Sequence, residues 1–128
     1  MVLNTKMLVV IKKYESHPEF LGIKITDPNQ PGAVGDTLLH LAARVGDLEA
    51  IEVLAESGAK VNFAGDLGNT PLHQAAMTGQ AGSIKKLLEL GADPGLKNDF
   101  DQTASEVADL GGHREISKIL RNHKNIKN

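Results

Sequence analysis

Two histidines at equivalent positions are the first candidates for metal chemistry. His40 and His73 lie 33 residues apart, and each stands three residues after a threonine. Imidazole is a common zinc ligand, with Zn–N bonds of about 2 Å. If this interval separates stacked units, their helices lie on the order of 10 Å apart. Two imidazoles at that separation cannot share one ion, so the sequence predicts no metal site there. The spacing of His17, His113 and His123 does not suit ligands either.

A second candidate is the acidic segment 98–102, Asn-Asp-Phe-Asp-Gln, which is similar to the start of a calcium-binding loop. Such a loop needs glycine at its sixth position for a sharp turn. Thr103 stands there instead. The segment is therefore better interpreted as an acidic loop tip than as a cation site.

Motifs for nucleophilic or cofactor chemistry are missing from the sequence. The chain has no cysteine, which excludes thiolate ligands and disulfides. It contains neither a phosphate-binding glycine loop nor a Gly-x-Ser-x-Gly element. We expect no catalysis and no cofactor.

The positions that could do chemistry belong to a repeat. Residues 37–43, Thr-Leu-Leu-His-Leu-Ala-Ala, recur as Thr-Pro-Leu-His-Gln-Ala-Ala at 70–76 and more weakly at 103–108. A glycine follows each block at the same offset, namely Gly46, Gly79 and Gly112. A fixed period in this range indicates a stack of supersecondary units, and such stacks build surfaces for partners.

Each unit is predicted to be a helix, a turn and a second helix. Thr37 and Thr70 are favourable N-cap residues, and Pro71 suits the first helical position. Paired alanines keep the first helix thin, and the glycine that follows is typical of a helix end. Polar residues up to Asn69 or Gln102 then form a projecting loop or hairpin. The fold class is therefore all-α.

We divide the chain into an N-terminal capping helix and loop (1–34), two repeats (35–65 and 66–98), and a degenerate C-terminal capping repeat with a basic tail (99–128). Apolar residues at helical spacing predict a helix over about 5–16, ended by Pro18. In the last unit Ser117 and Arg121 replace apolar residues, so we expect a polar outer helix and the end of the array.

The repeat closely resembles the ankyrin repeat. Residues 68–76, Gly-Asn-Thr-Pro-Leu-His-Gln-Ala-Ala, match the family's pattern in full, and Gly91-Ala92-Asp93 follows at the expected distance. Residues 58–62 match the same ending in the first unit. The resemblance covers about 35–121 and departs from the pattern at Leu38, Ser105 and Glu106. It implies a solenoid of stacked helix pairs with projecting loops, in which the repeated histidine bonds to loop backbone.

The resemblance also implies that a partner contacts the loop tips and the concave face of the first helices. Carried over by position, the predicted partner-binding residues are Asp36, Arg44, Val45, Asp66, Leu67, Asn69, Met77, Thr78, Asp99, Phe100 and Gln102, with Ala33, Val34 and Leu110 at neighbouring equivalent places. Leu67 and Phe100 are apolar groups at loop tips. They either contact a partner or pack against the next loop.

Composition limits the class of partner. A formal net charge of −2 without a dominant basic stripe argues against nucleic acid and acidic membrane surfaces. The apolar run 7–11 is too short to span a bilayer, and no small-residue cleavage site follows it. We expect a cytoplasmic protein.

The leading hypothesis is a non-catalytic, monomeric module that binds one protein partner. It would act as an inhibitor or immunity-type protein against a toxin or enzyme, or as an adaptor. The acidic residues of 35–66 suit a basic partner. The alternative is a structural or self-assembling subunit that dimerises through its N-terminal apolar helix.

Overall fold

The computed structural model describes residues 4–123, and these form seven α-helices with no β-strand among them. The helices are α1 (Thr5–Tyr14), α2 (Leu38–Val45), α3 (Leu48–Glu56), α4 (Pro71–Met77), α5 (Ala81–Glu89), α6 (Ala104–Leu110) and α7 (Arg114–Asn122), with a short 3-10 turn at Asp66–Gly68. The predicted all-α class is confirmed. Within this part of the chain, the segments that join the units are loops.

The helices form two layers. In the inner layer α2 packs against α4 and α4 against α6, while α3, α5 and α7 lie on the outer side of their own partners. Ala43, Ala76 and Ala108 are completely buried between the inner helices. Because a methyl group is the whole side chain, neighbouring backbones approach closely, and Leu39 and Leu72 fill the remaining core.

The ends of the helices follow the local signals of the sequence. Thr70 is the N-cap of α4, its hydroxyl accepts the His73 N–H at 3.3 Å, and Pro71 occupies the first turn. The inner helix α2 ends at Gly46, whose φ of 78° lies in the left-handed region that favours glycine. These signals set the length of each inner helix and so the point where its loop begins.

The N-terminal helix ends at Tyr14, two residues before the predicted end, and packs against α3. The Tyr14 hydroxyl donates to the Asp47 carboxylate at 2.7 Å, and the Lys13 ammonium donates to it at 2.6 Å. Asp47 is also the N-cap of α3 and accepts the Ala50 N–H at 3.1 Å. Burial raises the pKa of Asp47, but these hydrogen bonds outweigh it and leave the pKa below its usual value. One carboxylate thus joins α1 to the first repeat.

The connection from α1 to α2 adds a plug to the core. Phe20 is completely buried, and the Ala33 N–H donates to the Glu19 carbonyl at 2.7 Å. Gly32 lies so close to this carbonyl that a Cβ there would sit 2.5 Å from its oxygen. Arg44 of the first inner helix donates to the Glu19 carboxylate at 2.9 Å. The connection is therefore fixed to the stack at several points.

The last helix pair differs from the expectation at one residue. Arg121 is exposed and pairs with Asp109, as a polar outer helix requires. Ser117, in contrast, is buried at 1% exposure, because its position on α7 faces the preceding repeat as Ile51 and Ile84 do. The predicted basic tail continues through 124–128, which lie outside the described residues.

Candidate interaction surface

Three apolar side chains stand at equivalent positions of successive loops. Val34, Leu67 and Phe100 are 33 residues apart and expose 49%, 51% and 62% of their surface. We refer to these three residues as the tip ladder. Since each leaves about half of its surface in water, packing against the next loop does not cover them. The alternative left open for Leu67 and Phe100 is thus decided in favour of exposure.

Hydrogen bonds between consecutive loops hold the tip ladder in place. The Asp66 N–H donates to the Asp36 carboxylate at 2.9 Å, and the Asp99 N–H donates to the Leu67 carbonyl at 3.0 Å. Between the same two loops, the Asn98 side-chain amide donates to the Asn69 side-chain oxygen at 3.0 Å. The spacing of the tips is therefore set by the loops themselves as well as by the helices beneath them.

The repeated histidines connect each inner helix to the next loop. The Thr37 N–H donates to His40 Nδ1 at 3.0 Å, so Nδ1 carries no proton and Nε2–H donates to the Asn69 carbonyl at 2.9 Å. His73 repeats the arrangement and reaches the Gln102 carbonyl at 2.8 Å. Burial lowers the pKa of His40 from 6.5 to about 4, and it lowers the pKa of His73 as well. Both rings are neutral structural links rather than metal ligands.

Glu106 takes the place of histidine in the last unit, and the structure gives the reason. Its carboxylate accepts the Thr103 N–H at 2.9 Å, the same contact that His40 makes at the start of its own helix. Hydrogen bonds from Thr103 hold the pKa of Glu106 below its usual value. A carboxylate in the first turn also interacts favourably with the positive end of the helix dipole.

The backbone at Leu67 is strained. Leu67 has φ 55° and the following Gly68 has φ 73°, so both central residues of the turn are left-handed. Such turns strongly prefer Asn-Gly or Asp-Gly, because a left-handed conformation costs an ordinary L-residue about 1–2 kcal/mol. An exposed leucine at this position gives the turn no compensating advantage. Strain of this kind is typical of functional sites and favours a contact role for the side chain.

The C-terminal ends of the inner helices extend the apolar surface beside the tips. Val45, Met77 and Leu110 are exposed by 57%, 45% and 76%. Thr78, next to Met77, donates its hydroxyl to the Arg44 carbonyl at 2.7 Å and so joins two adjacent helix ends. Together with the tip ladder, Val45, Met77 and Leu110 form what we call the inner face.

Carboxylates flank the apolar members of the inner face in the later repeats. Asp66 precedes Leu67, Asp99 and Asp101 flank Phe100, and Asp109 precedes Leu110, and none of these aspartates is buried. Arg44 lies at the opposite end of this face, where its guanidinium already binds the carboxylates of Glu19 at 2.9 Å and Asp36 at 3.5 Å. Asp101 pairs with Lys97 at 3.4 Å and Asp109 with Arg121, so the acidic character of this apolar face rests mainly on Asp66 and Asp99.

Most of the predicted partner-binding residues reach the surface, but two do not. Val45, Leu67, Met77, Thr78, Asp99 and Phe100 are exposed, and Arg44, Asp66 and Gln102 are partly exposed. Asp36 and Asn69 are only 2% and 5% exposed. The expectation that these two present side chains at loop tips is wrong, because both accept hydrogen bonds inside the loop stack. Asp101 and Asp109 are exposed beside Phe100 and Leu110 and were not among the predicted residues, although their place was visible in the repeat.

Among the described side chains, no three His, Asp or Glu groups come together in a way that could hold a metal ion. Within residues 4–123, no helix has the length and apolarity that a membrane span requires.

Comparison with known families agrees with this architecture. A family model described as ankyrin repeats, in three copies, matches residues 7–98. The chain belongs to the ankyrin-repeat family. The match begins inside α1, which lies outside the range 35–121 covered by the sequence motif, and it ends before the degenerate last unit. No curated protein matches this ankyrin chain. Ankyrin repeats are generally protein–protein interaction modules and are typically non-catalytic.

Proposed function

We propose that the inner face binds one folded protein partner and that this binding, rather than catalysis, is the activity of the chain. The observation that carries the proposal is that six of the ten large apolar side chains exposed in the described residues belong to the inner face, namely Val34, Val45, Leu67, Met77, Phe100 and Leu110. A contiguous apolar surface rimmed by polar groups is typical of an interaction site. A stack of this length offers on the order of 800 Å² to one partner, enough for a specific interface.

The chemistry of the inner face favours a partner with apolar and basic groups. Phe100 is the largest exposed side chain at the tips and is flanked by Asp99 and Asp101. An aromatic residue of this kind is a favoured anchor in a partner's pocket, and surrounding carboxylates speed encounter with a positively charged surface. A cytoplasmic toxin or enzyme with a basic surface fits this description, and the chain would then act as a monomeric inhibitor or immunity-type protein. An adaptor role uses the same surface.

Capture from the native host tests the proposal. The immobilised chain is compared with the double variant Leu67→Ser/Phe100→Ser and with the control Leu21→Ser, which removes an apolar side chain 70% exposed on the N-terminal connection. We expect the native chain and the control to retain a common protein that the double variant loses. With that protein purified, the double variant should bind at least about tenfold more weakly, since anchor residues contribute about 2 kcal/mol or more.

Two further observations complete the test. Far-ultraviolet circular dichroism must show the native helical content in the double variant, because an unfolded chain would lose binding for another reason. An assay of the captured protein with and without the chain then separates inhibition from adaptor function. Equal binding by the native chain and a folded double variant would refute the role of the tips.

The alternative, self-assembly through the N-terminal helix, draws on a separate observation. Leu8 and Val9 of α1 are exposed by 52% and 63%. They are consecutive residues, so their side chains point about 100° apart and do not form the stripe that a helix dimer requires. Sedimentation of the native chain over a wide concentration range distinguishes the two functions, and we expect a monomer throughout.

A further inference from the structure

A groove lies on the outer side of the stack, away from the inner face, between α1 and α3. It has a volume of about 480 Å³. Its floor includes Val10 and Val53, which are only 5% and 9% exposed, and Val9 forms an apolar rim at 63% exposure. The groove is thus continuous with the hydrophobic core at its base and open to solvent above.

The wall contributed by α3 is acidic. Glu49, Glu52 and Glu56 all line the groove, and all three are exposed. Their spacing of three and four residues places them along one face of the helix, over a length of about 10 Å. Within the described part of the chain, the salt bridges involve Glu52 but neither Glu49 nor Glu56. The groove therefore presents two turns of negative charge beside an apolar floor.

The helix α3 also packs against α5, and one of its glutamates is paired there. There Leu48 packs against α5, so closely that a Cβ on Gly82 would lie 3.4 Å from the leucine methyl groups. Lys86 of α5 lies 3.8 Å from the Glu52 carboxylate. On that side Leu48 of α3 lies against Gly82 of α5, and α5 supplies a cation to Glu52. In the groove next to α1, Lys6 also lines the wall, but among the described residues it forms no salt bridge with Glu49 or Glu56, so these two carboxylates have no cation bound to them.

We propose that this groove binds a cationic amphipathic helix of a protein partner, at a site separate from the inner face. Leucine-sized side chains of the bound helix would pack on Val10 and Val53, and its lysines or arginines, spaced by three and four residues, would face the three glutamates. This is the arrangement in which an amphipathic helix binds in a groove through anchors at helical spacing. A chain that binds partners on both surfaces would connect two proteins.

A second copy of the chain fits the groove less well. The helix α7 exposes Arg114, Lys118 and Arg121, but its large apolar residues face inward. The exposed apolar residues of α1 are adjacent rather than one turn apart, and Lys13 is held by Asp47 at 2.6 Å. Neither helix presents an apolar stripe beside a row of basic groups.

Titration with synthetic peptides tests the proposal directly. The probe is a helical peptide of leucine and lysine with the leucines on one face, labelled for fluorescence anisotropy. The control peptide has the same composition in an order that forms no apolar face. We expect the native chain to bind the amphipathic peptide at low salt and to bind the control peptide at least about tenfold more weakly. We also expect the affinity for the amphipathic peptide to fall as salt is added, because exposed ion pairs are screened.

Variants locate the binding. Glu49→Gln/Glu56→Gln should weaken binding of the amphipathic peptide about tenfold, equivalent to about 1.4 kcal/mol. The matched control Glu89→Gln/Glu115→Gln removes the same charge from the outer faces of α5 and α7 and should change affinity by less than about twofold. Val9→Ser tests the apolar rim without removing a buried side chain, and it should also weaken binding.

Several results would overturn the proposal. One is equal weakening by both pairs of glutamine substitutions, which would mean attraction to total charge alone. Equal affinity for the two peptides would exclude a helix-shaped groove. Concentration-dependent dimerisation that Val9→Ser abolishes would assign the groove to a second copy. The Leu67→Ser/Phe100→Ser variant should bind the peptide normally, so failure of the inner-face proposal is distinguishable from failure of this one.

Discussion

Lowering the pH from neutral to about 4 should destabilise the stack through His40, because the folded chain holds this imidazole neutral. Its Nδ1 accepts the Thr37 N–H at 3.0 Å, and the ring is 0% exposed. Protonation would place two N–H donors against each other inside the core. Burial of the ring lowers the pKa from 6.5 to about 4. Between these values the unfolded chain binds the proton and the folded chain does not, so stability decreases as the pH falls.

The size of the effect follows from the two pKa values. Each tenfold change in a protonation equilibrium corresponds to about 1.36 kcal/mol, so the fall from 6.5 to about 4 amounts to about 3 kcal/mol at full effect. About 2 kcal/mol of this is lost by about pH 5. The loss is large beside the total of about 5–15 kcal/mol that is typical of a domain. His73, whose pKa is lowered for the same reason, adds to it.

Urea unfolding followed by circular dichroism at a series of pH values measures the effect. Native chain, His40→Gln and the control His123→Gln, which removes a histidine at the end of α7, are compared. At neutral pH His40→Gln should lose about 1–3 kcal/mol, since the Thr37 N–H is left buried without a partner. Between pH 7 and about pH 4 the free energy of unfolding of His40→Gln should fall by about 3 kcal/mol less than that of the native chain. If native chain and His40→Gln fall in parallel, the imidazole is not held neutral and the reasoning is wrong.

Three further predictions concern individual side chains. Ser83→Ala should stabilise the chain by about 1 kcal/mol and raise Tm by about 4 °C. The reason is that the Ser83 hydroxyl is fully buried and has no hydrogen-bond partner among the described residues, while Ala50 fills the equivalent place in the preceding repeat. Calorimetry showing a lower Tm would contradict this. Burial and the hydrogen bond to Asp47 raise the pKa of Tyr14, the single tyrosine, so its absorbance at 295 nm should change only together with alkaline unfolding and not before it. Hydrogen bonds from Thr103 lower the pKa of Glu106, so its carboxylate stabilises the folded chain above the ordinary pKa and stops doing so as the pH falls through the lowered pKa. Glu106→Gln should therefore lose less stability in acid than the native chain does. An equal dependence of the free energy of unfolding on pH in both proteins would refute the role of this cap.

Local signals in the sequence were sufficient to predict the helices. Pro71 and the threonine before it mark the start of an inner helix, and Gly46 marks the end of another, because these residues act through backbone contacts within one turn. The recurrence of such signals predicted the stack and the positions of its loop tips. The first helix was predicted two residues too long, since residues 15 and 16 form a turn before Pro18.

Polar residues of the loops could not be assigned in the same way. Asp36 and Asp66 both look like exposed acidic tip residues in the sequence. In the structure Asp36 is buried and accepts the N–H of Asp66 from the next loop. A carboxylate that receives a backbone hydrogen bond and one that faces solvent have the same local sequence signal. Only the position of the neighbouring repeat distinguishes them.

The sequence by itself determined the all-α stack, its period and the apolar members of the loop tips, and the family resemblance implied the structural use of the histidines. Tertiary structure decided which of those tips stay in water, that Leu67 is held in a left-handed conformation, and that α1 leaves an acidic groove beside α3. The physical reason is the range of the interactions. Helix caps and periodic apolar positions act over a few residues, whereas burial and grooves depend on contacts between segments that the repeat brings together from some 30 residues apart.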